Sequence, residues 1–241
     1  LVNIKDVDRS DLPAGDRLKN IFDRQRELMA KYHHIEKANN LLLSEDVPVD
    51  LDDKYGQARL KDFAWRFTEE LGEALDALLK HADEPAHGME EVADALHFLA
   101  EFTILAGIPW DGVIPPTGTS DGDGLTKLFS LSGDGDALYL NYEIWKPGEF
   151  FGQKGITYYE VISMLVGQVI APLAMACNCL KNKPWKQTHM PTDYKHFRHY
   201  IQVTWWEFIR LAREWGFTEE SLYEMYFGKA DVNAFRQRSN Y

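Results

Sequence analysis

Apolar positions along this chain recur mostly at steps of three and four, the spacing of one face of a helix. Over 17–37 the stripe is Leu18, Ile21, Phe22, Leu28, Met29 and Tyr32, with Gln25 as its polar member. Gln25 is either a stripe-edge side chain touching water or a donor and acceptor pair aimed into a pocket. A polar stretch containing Asn39, Asn40, Ser44 and Pro48 and running through 50–54 predicts a loop. A second helix is expected over 60–80, with Phe63, Phe67, Leu71, Ala74 and Leu78 on one face, ended by a turn at 83–88 that contains Pro85. A third, over 90–106, stops at Gly107 and Pro109, and the short connection predicts that the two form an antiparallel hairpin. Further helices are expected over 158–180 and 193–214, and a last one starts after Gly216 with Thr218 as its N-cap.

Residues 111–135 break the pattern with six glycines, the adjacent Pro115 and Pro116, and Asp-Gly repeats at 121–124 and 134–135. They predict a surface insertion, extending over 111–150, with a short β-hairpin at 137–142. The repeats lack the twelve-residue loop ending in Glu that calcium would require. No series of strands is available, so the expected architecture is an all-α helical bundle, one catalytic domain over 1–241 carrying that insertion.

Charge changes the picture. Against 26 Lys and Arg stand 38 Asp and Glu, a net charge of -12, so the average field repels nucleic acid and anionic membrane surfaces. A phosphate-bearing ligand would need a bridging cation or a local basic cluster. Cys177 and Cys179, the two cysteines, have neither disulfide-framework nor zinc spacing and suit a reducing compartment. Lys5, Asp6, Asp8 and Arg9 precede no apolar run, so no signal peptide is expected and the cytoplasm is the expected location. The nearly apolar 161–180 has the length of a membrane span, but Ser163, Gly167, Gln168, Pro172 and Asn178 interrupt it, and it reads as a buried helix. That helix with Trp205, Trp206 and Phe208 offers more apolar surface than one small bundle covers, which predicts a homodimer.

The acids carry the chemistry. At about 100° per residue, Glu70 and Glu73 border the apolar stripe of the second helix, while Glu91 and Asp94 fall within the apolar face of the third. Poorly hydrated carboxylates at this spacing repel one another unless a cation compensates, and oxygen-rich sets suit magnesium. His97 is the one histidine near the cluster, which disfavours zinc; it either orients a carboxylate or simply packs. Towards the end of the chain Lys229, Asn233 and Arg236 share one helical side, forming either a phosphate clamp or a basic complement to the helix dipole.

The sequence Glu70-Leu-Gly-Glu73, then Glu91-Val-Ala-Asp94 and the pair His97 and Phe98, resembles the signature of the all-helical nucleoside triphosphate pyrophosphatases. The ending from Tyr226 through Lys229, Asn233 and Arg236 to Tyr241 is similar to that of the dimeric dUTPases and the related phage dCTPase/dUTPase enzymes. The resemblance spans about 17–110 and 158–241. It implies a helical bundle that hydrolyses dUTP to dUMP and pyrophosphate, with water attacking the β-phosphorus. Two or three magnesium ions would sit on Glu70, Glu73, Glu91 and Asp94, with Glu70 or Glu73 as general base. Gln25 would lie at the base pocket, Lys229, Asn233, Arg236 and Tyr241 would contact phosphates or sugar, and Trp185 and Lys186 would approach the nucleotide. Met29 stands about where the dimeric dUTPases commonly have an asparagine, which leaves dCTP or a broader range of triphosphates open as substrate. A helical scaffold whose acidic patch binds a basic partner is the expectation from another class. If phage-encoded, the enzyme would work in the host cytoplasm.

Overall fold

The computed structural model describes residues 12–42, 44–80, 85–116, 121–133 and 157–238, excluding the side chains of 85, 133 and 236–238. Among these residues the regular elements are helical: α1 (Arg17–Ala38), α2 (Lys54–Lys80), α3 (Pro85–Leu105), a 3-10 turn at Trp110–Val113, α4 (Gly124–Gly133), α5 (Tyr158–Cys179), α6 (Tyr194–Glu214) and α7 (Glu219–Arg238). The all-α bundle is thus the observed architecture. The expected β-hairpin at 137–142 lies outside the described residues.

Caps explain most of the boundaries. Asp16 accepts from Lys19 N at the start of α1, and Asp53 accepts from the amides of Tyr55 and Gly56, so α2 begins before the apolar stripe does. Thr157 and Glu160 form a reciprocal capping box on α5, and Thr218 accepts from Ser221 N at α7. Pro85, expected inside a turn, is instead the first residue of α3, where a missing N–H costs nothing because the first turn has no intrahelical acceptor for it. Gly88 is needed on that first turn: a Cβ there would meet Trp215 Cζ2 at 2.6 Å.

Helices α2 and α3 pack along each other, as do α5 and α6, and α2 joins the two pairs through α5. Helices α1 and α7 lie against α3 and against each other, closing the bundle over the acid-bearing face. Phe22 stacks on Trp205 at 5.6 Å and Phe67 meets Phe208 at 5.9 Å, tying α1 and α2 to α6. Trp205 and Phe208 are fully buried within this chain, so they do not supply the exposed patch expected of them.

Part of the expected surface insertion is core. Val113, Leu125 and Leu128 are fully buried against the bundle. Asp123 accepts from Thr126 N at 2.8 Å and from Arg17 Nε at 2.6 Å, so an Asp-Gly repeat that reads as loop is in fact the cap of α4 and its tether to α1. Helix α5 is buried on one side only; Met164 and Met175 are exposed on the other. By length and composition α5 could cross a membrane, and in the protein one of its faces packs on α6 and α2.

Candidate functional site

The face of α3 that meets α1, α2 and α7 carries Glu90, Asp94, His97 and Glu101 at steps of four, three and four, one polar ridge on an otherwise apolar helix. Glu91 lies beside it. Across from the ridge α2 presents Glu70, and the nearest carboxylate oxygens of Glu70, Glu91 and Asp94 lie within 4.8 Å of one another. That spacing suits one divalent cation held by hard oxygen donors. Glu73 is exposed and stands outside this group of three, yet its charge still acts on both Glu70 and Glu91.

The electrostatics record the crowding. Burial, then the charges of Asp94, Glu73 and Glu91, push the Glu70 carboxyl up to about 8. Burial likewise raises Glu91, with Lys229 opposing. Lys229 Nζ reaches in from α7 to 2.5 Å from Asp94 Oδ2 and 3.6 Å from Glu90 Oε2. Burial alone would lower the Lys229 ammonium, but Asp94, Glu90 and Glu91 together leave it raised. One ammonium therefore sits among several acids and does not relieve Glu70 of its repulsion.

Beside the acids opens a cavity of about 260 Å³ whose walls include Phe63, Phe98, Leu28 and Asn233. Its floor is a set of hydrogen bonds centred on Gln25. Gln25 Nε2 donates to Glu101 Oε2 at 2.7 Å, while Gln25 Oε1 lies 2.9 Å from His97 Nδ1 and 3.0 Å from the Tyr226 hydroxyl. His97 stacks on Tyr226 with centroids 4.0 Å apart. Burial pushes the His97 imidazole down to about 3, so it is neutral and donates its Nδ1 proton to Gln25. Gln25 is thus buried in the pocket floor rather than at a wet stripe edge, and His97 orients Gln25, not a carboxylate.

The residues expected from sequence divide into three sets. Gln25, Glu70, Glu91, Asp94, His97, Lys229 and Asn233 come together here, with Glu73 at the rim. Trp185 and Lys186 do not join them. Trp185 is 77% exposed, and the Lys186 carbonyl accepts from Lys54 Nζ at the first residue of α2, sixteen residues before Glu70, on the order of 24 Å along the helix. The side chain of Arg236, and Tyr241 altogether, fall outside the described residues. Two buried acids, Glu90 and Glu101, were not singled out in the sequence; the ridge spacing 90, 94, 97, 101 was the signal that could have found them.

Compared with known proteins, residues 175–241 match a family model described as dUTPase. The matched segment covers α6 and α7 with Lys229 and Asn233, and leaves out the acids of α2 and α3. No curated protein and no solved structure matched the chain. The partial match, the helical bundle and the acid cluster together support a hydrolytic function of the nucleoside triphosphate pyrophosphatase kind.

Proposed function

We propose that this protein is a magnesium-dependent pyrophosphatase that hydrolyses dUTP to dUMP and pyrophosphate. The observation that carries the reading is the juxtaposition of Glu70, Glu91 and Asp94, with oxygens within 4.8 Å, at the edge of a partly aromatic cavity into which α7 brings Lys229 and Asn233. The donor set fits magnesium because it is all oxygen, and the burial and then the repulsion that lift Glu70 to about 8 are what a divalent cation would offset.

Glu70, Glu91 and Asp94 would hold the cation, with Glu73 joining from the rim as a second ion or the triphosphate arrives. A magnesium ion held by these carboxylates would supply charge neutralisation to the phosphates and lower the pKa of water. Glu70, ionised once its neighbours' charge is compensated, would take the proton of the attacking water. Lys229 would leave Asp94 for a phosphate oxygen, and Arg236 would add charge-assisted bonds to the leaving pyrophosphate. Phe63 and Phe98 would bound the base, and Asn233 would meet the sugar or the α-phosphate.

A second reading takes dCTP as the preferred substrate, because Met29 stands about where the dimeric dUTPases commonly have an asparagine. A homodimer is also proposed, now through the exposed face of α5, where Met164, Gly167 and Met175 meet solvent without a charge between them. Release of pyrophosphate from dUTP and dCTP, with and without magnesium, tests the reading. Absence of release from any deoxynucleoside triphosphate would turn it towards the helical scaffold.

A further inference from the structure

Glu90 is the acid that the proposed metal site leaves unexplained. It is 6% exposed, its Oε1 is buried without a hydrogen-bond partner, and it stands outside the trio of Glu70, Glu91 and Asp94. A buried carboxylate in that condition is costly unless a cation faces it. The cation it faces is Lys229. Glu90 Oε2 lies 3.6 Å from Nζ, beyond a good hydrogen bond, while Asp94 Oδ2 holds the same ammonium at 2.5 Å.

The two acids lie one turn apart on α3, on the ridge that α7 meets, so the ammonium is within reach of both. They are not equivalent, because Asp94 belongs to the trio that would hold a cation and Glu90 does not. Once a divalent cation takes the Asp94 oxygen, it repels the ammonium and Asp94 no longer retains it. Lys229 is itself buried, and a buried ammonium without a counter-charge is driven towards water. Glu90, with one oxygen already near Nζ and the other without a partner, is the counter-charge that stays. An ammonium has three N–H donors, so one spent on Glu90 leaves two for phosphate oxygens.

We propose that Glu90 is a positioning residue, which keeps Lys229 inside the site when a metal ion occupies Asp94 and so presents the ammonium to the phosphate chain. This rests on the pyrophosphatase reading above and deepens it. The sign of the effect separates it from simple electrostatics. A negative charge beside a bound polyphosphate repels it, so removing Glu90 would on that ground alone tighten phosphate binding. Acting through Lys229, the same removal weakens it.

Glu90→Gln takes away the charge and keeps the shape. The first measurement is equilibrium binding of pyrophosphate at saturating magnesium, to the wild type, E90Q, K229M and the double variant, each as the full chain. E90Q should weaken binding by about tenfold where Lys229 is present, and should leave it unchanged or tighten it in the K229M background. An E90Q protein that binds pyrophosphate as tightly as the wild type, or that loses the same factor with and without Lys229, overturns the proposal. So does a wild type that does not bind pyrophosphate with magnesium. The second measurement needs no variant and stands even if E90Q does not fold. Acetylation of Lys229 by an amine reagent, followed by mass spectrometry, should be as slow with magnesium as without it. Acceleration by more than about tenfold on adding magnesium alone would show the ammonium released to water, and the proposal would be wrong. Turnover tests the underlying reading separately. If the wild type hydrolyses no deoxynucleoside triphosphate, yet E90Q weakens pyrophosphate binding only where Lys229 is present, the pyrophosphatase reading fails and Glu90 remains the residue that sets Lys229.

Discussion

Lys229 Nζ lies 2.5 Å from Asp94 Oδ2, so in the absence of metal the acid cluster is bridged by a side chain of the protein itself. The pair joins α7 to α3 at a point where both partners are largely screened from water, Lys229 being 7% exposed. Lys229→Met should therefore lower the stability of the metal-free protein by about 2 kcal/mol, the scale of a charged hydrogen bond lost with its partner left behind. The same change removes a competitor for Asp94, so magnesium should bind more tightly without nucleotide while kcat/KM for a triphosphate falls by about tenfold or more. Thermal melting, calorimetric titration with magnesium and steady-state kinetics check the three parts; unchanged magnesium affinity would contradict the competition.

Glu70 predicts a pH dependence. Burial and the neighbouring acids push its carboxyl up to about 8 in the folded protein, against 4.5 for an ordinary glutamate, so the folded state holds the proton more tightly. Stability from this group is therefore present at low pH and is lost as pH rises between those two values. Magnesium reverses the preference by requiring the ionised form. Binding near pH 7 should release a proton, and apparent affinity should climb until pH passes about 8 and then level. Calorimetry in buffers of different ionisation enthalpy measures the release directly.

Glu91→Gln should separate function from folding. Removing one charge from a crowded, half-hydrated cluster relieves repulsion, so the metal-free melting temperature should hold or rise. Loss of a proposed cation ligand should lower kcat by about a hundredfold, on the order of 3 kcal/mol in the barrier. A variant that keeps wild-type turnover would take Glu91 out of the metal shell.

A chain ending at Phe235 lacks Arg236 and Tyr241 but keeps Lys229 and Asn233. If the carboxy-terminal residues clamp phosphate, kcat/KM for a triphosphate should fall by more than about tenfold while magnesium binding at the acids survives. Equal activity of the truncated and full chains would assign that ending to packing or to dimer contacts.

Leu125→Ala tests whether the glycine-rich region belongs to the bundle. Leu125 is fully buried in the main core, so truncation should cost about 2 to 5 kcal/mol, read by chemical denaturation. A residue on a surface insertion would cost less than about 0.5 kcal/mol.

The sequence by itself determined the helices with long apolar stripes, because period is a local property and Phe63, Phe67, Leu71 and Ala74 must share a face whatever they pack against. It also marked Glu70, Glu91 and Asp94, since acids placed beside such stripes cannot all reach water. Short-range chemistry hid the rest: Asp123 and Gly124 read as loop until Arg17 and the core above Leu125 turned them into a helix start. Tertiary structure alone decided what each polar group faces. Glu73 fell on the wet side of a helix whose rotation the packing of α2 on α3 set, Trp205 and Phe208 went inward, and Trp185 and Lys186 were left at the far end of α2. Gln25, His97, Tyr226 and Glu101 became one hydrogen-bonded floor because α1, α3 and α7 converge there, and hydrogen bonds between residues 76 and 201 positions apart carry no periodic trace along a chain.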